Sequence, residues 1–100
     1  MAYTTIDDSS AYFQTTLYTG SGSSTQNVVN GGNSDLQPDW VWVKNRTDAR
    51  WNRLVDSSRG VSKNLYSNED DTEGTEASVT AFNSDGFSLG TDTGSDGWNE

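Results

Sequence analysis

Trp40-Val41-Trp42-Val43 is the stretch on which the fold turns. Two indoles alternate with two β-branched residues, and both types favour strands. With a strand period of two, Trp40 and Trp42 share one face, and Val41 and Val43 the other. Both faces are apolar, so the stretch reads as a central strand covered on both sides. Just upstream, Pro38 cannot donate to a ladder and ends whatever precedes it. Just downstream, Asn45-Arg46-Thr47-Asp48-Ala49 reads as a hairpin loop leading to a second strand over residues 51–56.

Further strand signals flank this pair. Residues 11–19 (AYFQTTLYT) are rich in aromatics and threonine, and residues 25–29 form a second candidate. Asn30-Gly31-Gly32-Asn33 then favours a tight turn. Residues 63–67 can form a short strand, and 67–76 (SNEDDTEGTE) read as a solvent loop. Residues 79–82 and 87–89, joined by Asn83-Ser84-Asp85-Gly86, read as a hairpin with glycine in a left-handed position. Short strands between turn signals, with no convincing helix, predict an all-β fold, an antiparallel β-sandwich. The expected interior is Phe13, Leu17, Val29, Trp40, Val41, Trp42, Val43, Leu54, Val55, Leu65, Phe82, Phe87 and Leu89. The chain divides into a lead-in strand and flexible loop (1–24), the sandwich (25–90) and an acidic Gly/Asp-rich tail (91–100).

Composition agrees with a thin β fold. Hydrophobic residues make up 30% of the 100 residues, against roughly 45–50% (glycine included) in an average domain. The 4 Trp, 4 Tyr and 3 Phe nevertheless argue against disorder. The net charge of -9 opposes binding to nucleic acid. No apolar run is long enough for a membrane helix, and the first eight residues have neither the basic region nor the apolar core of a secretion signal. All six basic residues fall within 44–63, between acidic flanks. That pattern suits internal ion pairing or head-to-tail self-association. Asp56 lies near Arg53 and Arg59 and is expected to pair with one of them.

Catalysis is hard to build from these residues. Without His or Cys there is no imidazole base, thiolate or zinc-thiolate site. Asp39, Asp56, Asp70, Asp71 and Asp85 are the carboxylates that could form a glycosidase pair, but they read as turn and surface residues, and no enzyme is expected. Asp92-Thr93-Gly94-Ser95-Asp96-Gly97 resembles the start of an EF-hand loop. It has glycine at position three and reads as a Gly/Asp-rich loop, so no metal and no cofactor is expected. Trp51, Tyr66 and Trp98, beside Asn52, Asn64 and Asn99, are the candidates for stacking a glycan.

Three segments carry a resemblance: Pro38-Asp39-Trp40-Val41-Trp42-Val43-Lys44-Asn45-Arg46, then Arg53-Leu54-Val55-Asp56-Ser57-Ser58-Arg59-Gly60-Val61-Ser62-Lys63, then Phe82-Asn83-Ser84-Asp85-Gly86-Phe87-Ser88-Leu89-Gly90. In this order they resemble a domain of uncharacterised function common in bacteriophage tail-fibre and other virion proteins, especially those of marine phages infecting cyanobacteria and other bacteria. Residues 3–20 look like the lead-in segment of such proteins. The resemblance implies a concanavalin-like or SPRY-like (jelly-roll) sandwich. In that family the Gly-Phe-Ser-Leu-Gly segment is normally followed by another aromatic strand, of which only Trp98 stands here. The expectation is a sandwich left incomplete by this chain and finished by neighbouring subunits across an open edge and apolar face. Trp40, Val41, Trp42, Val43, Phe82 and Phe87 would serve core and assembly. The implied role is a non-enzymatic virion structural protein on the particle exterior, tail-fibre or tail-associated, used in assembly and host attachment. The implied partners are other virion subunits, including copies of itself, and a host surface glycan. A capsid decoration (cement) protein and a glycan-binding receptor module are the alternatives.

Overall fold

Short runs of β-branched and aromatic residues become the strands of two small sheets. The computed structural model describes residues 4–22, 24–92 and 97–100. Its strands are β1 (Gln26–Val29), β2 (Trp40–Val43), β3 (Arg53–Asp56), β4 (Leu65–Tyr66), β5 (Val79–Asn83) and β6 (Gly86–Leu89). One sheet has the order β1-β6-β5 and the other β2-β3-β4, and every neighbouring pair is antiparallel. Val28, Val79, Phe87 and Leu89 of the first sheet, Val41, Val43 and Val55 of the second, and Trp98 form one buried cluster. Tyr18 and Phe82 pack against it. The domain is therefore an all-β, two-sheet antiparallel sandwich.

The central pair β2–β3 forms in the expected place, but its faces are reversed. Val41 and Val43 point inward, and Val41 lies opposite the fully buried Val55. Trp40 and Trp42 point outward, 51% and 57% exposed. Alternation fixes which residues share a face and says nothing about which apolar face is covered. The thin core is already filled by Phe87, Leu89 and the Trp98 indole, so the small valines face it. Val29 (66% exposed) and Leu65 likewise turn outward, against expectation, because Val28 and Tyr66 take the inward positions of β1 and β4.

Residues 11–19 do not form the expected strand. A 3₁₀ turn at Ser9–Ala11 opens the segment, and Tyr12, Phe13 and Leu17 lie exposed. Polar side chains hold the segment in place of a ladder. Gln14 Nε2 donates to the carbonyls of Ser10 (2.8 Å) and Ser34 (2.7 Å), and its Oε1 accepts from Gly32 N (2.8 Å). Tyr18 alone of these aromatics reaches the core, edge-on to Phe87 at 6.4 Å, and its hydroxyl donates to the Trp98 carbonyl. Burial pushes the Tyr18 phenol well above its ordinary value, and Asp92 adds to the rise. Asn30-Gly31-Gly32-Asn33 makes no hairpin, since β1 pairs with β6.

Asp8 ties the same segment to the loop after β1. Its carboxylate accepts from Ser10 N (3.0 Å), Ser10 Oγ (2.6 Å), Asn33 Nδ2 (3.0 Å) and the Ser34 hydroxyl. These donors, Ser10 and Ser34 foremost, hold the Asp8 carboxyl far below the usual carboxylate range. A depressed pKa means that the tie contributes fully above the unfolded value of about 3.9 and is lost as the pH falls through the lower folded value. Acidification from pH 6 toward pH 2 is therefore expected to leave the Ser10 and Ser34 amides protected well below pH 4. Asp8→Asn should weaken that protection already at pH 6. Hydrogen exchange measures both, and unchanged protection in the variant would show that the tie is not electrostatic.

Ion pairing links the basic segment to the acidic flanks. Asp56 pairs with Arg59 (2.6 Å), which also meets Glu73 (3.0 Å), and Arg50 meets Glu100 (3.1 Å). Asp56 does not face Arg53, because residues three apart in a strand lie on opposite faces. Arg53 points inward, and its guanidinium sits 4.7 Å from the Tyr66 ring and 5.0 Å from the Trp98 ring. Within 67–76, Glu76 stays exposed, but its carboxylate accepts from the Tyr66 hydroxyl (3.1 Å) and Asn64 Nδ2 (3.4 Å).

Candidate functional site

Two surface features stand out, and both arise around the β2–β3 hairpin. The first is the outer face of the β2-β3-β4 sheet. Trp42 lies opposite Leu54, and Leu54 opposite Leu65, so an apolar row crosses all three strands. Trp40 adds a second indole with its ring centre 6.2 Å from that of Trp42 and tilted by 48°. The Asp56–Arg59–Glu73 cluster borders this row, since Asp56 lies opposite Trp40. The outer face of a two-layer sandwich is ordinarily polar. A contiguous apolar patch with a charged border is the usual mark of an interaction site.

The second feature is a surface cavity of about 220 Å³ at the loop end of the hairpin. Three segments meet there: residues 16–20, the hairpin loop 44–47, and Gly97, Trp98 and Glu100. The Asn45 side chain shapes the loop, its Oδ1 accepting from Thr47 N (2.7 Å) and Asp48 N (2.8 Å). Asp92 positions the third segment, its Oδ2 accepting from Gly97 N (2.7 Å), Trp98 N (3.1 Å) and Asn99 N (3.3 Å). Asn99, fully buried, donates to the carbonyls of Ser24 (2.7 Å) and Gly90 (3.0 Å) and accepts from Ser21 N (2.9 Å). Of the loop likened to an EF-hand, residues 93–96 lie outside the described residues. The Asp92 carboxylate within it is engaged by backbone donors.

The three aromatics expected to stack a glycan are brought together, but not as a platform. Trp51 meets Tyr66 edge-on at 5.2 Å, and Tyr66 and Trp98 both flank Arg53. Trp51 is exposed, whereas Tyr66 is buried and Trp98 is only 3% exposed. Burial, together with the hydrogen bond from its hydroxyl to Glu76 Oε2 (3.1 Å), raises the Tyr66 phenol above its ordinary value. Two rings that expose almost no face cannot carry a sugar. Of the residues assigned jointly to core and assembly, Val41, Val43 and Phe87 are core, Phe82 is partly buried against it, and Trp40 and Trp42 form the open face.

Sequence reasoning missed the cavity, since its walls come from positions more than twenty residues apart. A signal for Trp98 was present: a lone large ring among the turn formers of residues 90–100 has few uses other than filling a core.

The model of a family described as "Domain of unknown function (DUF7483)" matches residues 8–100 of the chain. No curated protein and no solved structure matches it.

Proposed function

We propose, for a chain that belongs to the DUF7483 family of unknown function, a structural role without catalysis: an assembly domain on the exterior of a bacteriophage particle, tail-associated, that packs onto neighbouring subunits through Trp40 and Trp42. The observation that carries this reading is the open apolar row of Trp40, Trp42, Leu54 and Leu65. Tryptophans that stand half in water and half against the sheet are the residue type most enriched at binding hot spots. The accessible surface of the chain, 6389 Å², also exceeds the roughly 5,600 Å² expected for a compact monomer of its mass. Such an excess suits a subunit that gains stability by association. The virion setting rests on the resemblance of the three sequence segments, and the open face supplies the surface that such a subunit needs.

Sedimentation of the chain over a concentration series tests the reading. Self-association is expected in the wild type, and Trp40→Ser with Trp42→Ser should weaken it by about a hundredfold or more, since each hot-spot ring contributes about 2 kcal/mol. The double variant should melt within about 1 kcal/mol of the wild-type monomer, because neither ring belongs to the core. A wild-type chain that stays monomeric at about millimolar concentration, far above what a hot-spot interface tolerates, would reject self-assembly through this face.

A further inference from the structure

The cavity at the hairpin end carries a second function, independent of the assembly face. We infer that it is a binding site for one acidic sugar unit, with the anionic group held by Lys44 and Arg46. The volume, about 220 Å³, lies below the roughly 300–1,000 Å³ of sites that take drug-sized ligands. That limits the occupant to something near a single monosaccharide ring. The chemistry of the walls narrows it further.

Charge comes first. The chain carries -9 overall, yet this wall presents two cations, Lys44 and Arg46, that no carboxylate among the described residues neutralises. Among the described residues Lys44 Nζ donates only to the Asn45 carbonyl. Among the described residues no acid lies within ion-pair distance of Lys44 or Arg46, while Arg50 and Arg59 both have acidic partners. Glu100, the one acid among the described residues of the cavity wall, is engaged twice by Arg50, at 3.1 and 3.2 Å. An anion entering here meets a guanidinium able to bind it in bidentate fashion and an ammonium beside it.

Polarity comes second. Thr19 and Thr47 line the cavity, and among the described residues neither hydroxyl makes a hydrogen bond, only their backbone groups doing so. A bare phosphate or sulfate would need only the cations, whereas a hydroxylated ring also uses free hydroxyl partners. Leu17, 75% exposed on the same wall, offers an apolar ledge for the C–H face of such a ring. Cations, idle hydroxyls and an apolar ledge within a monosaccharide-sized space match a sugar bearing a carboxylate or a sulfate ester. The two acid types share this chemistry, and the experiment separates them.

Backbone amide shifts of the full chain are followed by NMR during titration with a uronic-acid trisaccharide, a sulfated trisaccharide, a neutral trisaccharide and inorganic sulfate. The expected result is a saturable shift at residues 16–20 and 44–47 with one or both acidic sugars. The neutral sugar and inorganic sulfate should bind at least tenfold more weakly, and the acidic-sugar affinity should fall as salt rises. Lys44→Ala with Arg46→Ala should weaken binding at least tenfold with an unchanged melting temperature, and Thr47→Val should weaken it severalfold with the cations intact. Four results would each overturn the assignment: no shift at these amides with either acidic sugar, equal affinity for the neutral sugar, equal affinity for inorganic sulfate, or undiminished binding in the double variant. The open face plays no part, so a Trp40→Ser, Trp42→Ser chain should bind the sugar as the wild type does.

Discussion

Trp98→Ala is expected to lower the melting temperature by roughly 12–30 °C, a loss of about 3–4 kcal/mol in a domain of this size. Among the described residues Trp98 is the one indole in the buried cluster, whose other members come from both sheets. Its Nε1 donates to the Gly90 carbonyl (3.4 Å), its own carbonyl accepts from the Tyr18 hydroxyl, and its ring flanks Arg53. Truncation leaves a cavity and also uncovers the guanidinium that Trp98 and Tyr66 enclose between them. A domain held by about 5–15 kcal/mol loses a large part of its margin. Thermal melts followed by far-UV circular dichroism measure the loss, and Trp98→Phe should restore most of it by refilling the space. A drop equivalent to less than about 1 kcal/mol for the alanine variant would mean that the core closes without this ring.

Gly86→Ala is expected to cost about 3 kcal/mol or more, through the backbone. Gly86 follows the two-residue Ser84-Asp85 turn and has φ 146°, a region that residues with a Cβ rarely enter. It also faces Val29 across the β1–β6 ladder. A Cβ at this position would lie 1.9 Å from the Val28 carbonyl oxygen and 3.1 Å from Val29 Cα. The obstacle is main chain, so no rotamer change relieves it, and β1 has to leave the sheet or the hairpin has to shift. Hydrogen exchange should show the ladder amides of residues 26–29 losing protection before the rest of the molecule does. Gly31→Ala is the matched control. No atom lies within 4 Å of its Cβ position and its φ is not positive, so it should be neutral or slightly stabilising. Equal stability of the two variants would contradict the packing of β1 on β6.

The strand positions were largely legible in the sequence, and the facing of the strands was not. Residues 40–43, 79–82 and 87–89 announce themselves by β-branched and aromatic content, and each falls within a strand or coincides with one. With both faces of β2 apolar, alternation could not say that valine rather than tryptophan turns inward. That depends on how thick a core the opposite sheet leaves, which only the packed molecule decides. Residues 11–19 misled for a related reason. Aromatics and threonines fit a pleat, but a strand needs a partner edge, and the side chains of Asp8, Gln14 and Thr16 bond instead to the loop at 30–34. The buried polar residues Asn64, Ser78 and Asn99 look like loop residues in sequence. Their role appears only once their partners are in place: the Glu76 carbonyl for Asn64, the Asn64 side chain for Ser78, and Ser21, Ser24 and Gly90 for Asn99. The cavity walls at Arg46 and Thr47 read correctly as part of a hairpin loop, and nothing local in them foretells the approach of residues 16–20.

The clasp made by Asp92, Trp98 and Asn99 has a consequence for biosynthesis. Asn99 holds residues translated some seventy-five positions earlier, at Ser21 and Ser24. Until residue 99 has cleared the ribosomal exit tunnel, both sheets can be threaded but not locked together. Val41, Val55 and Leu89 then wait in solvent, a state in which nascent chains stick to one another. Folding of this domain should therefore follow synthesis of the segment rather than accompany it, leaving an interval that a chaperone or a waiting neighbour could occupy.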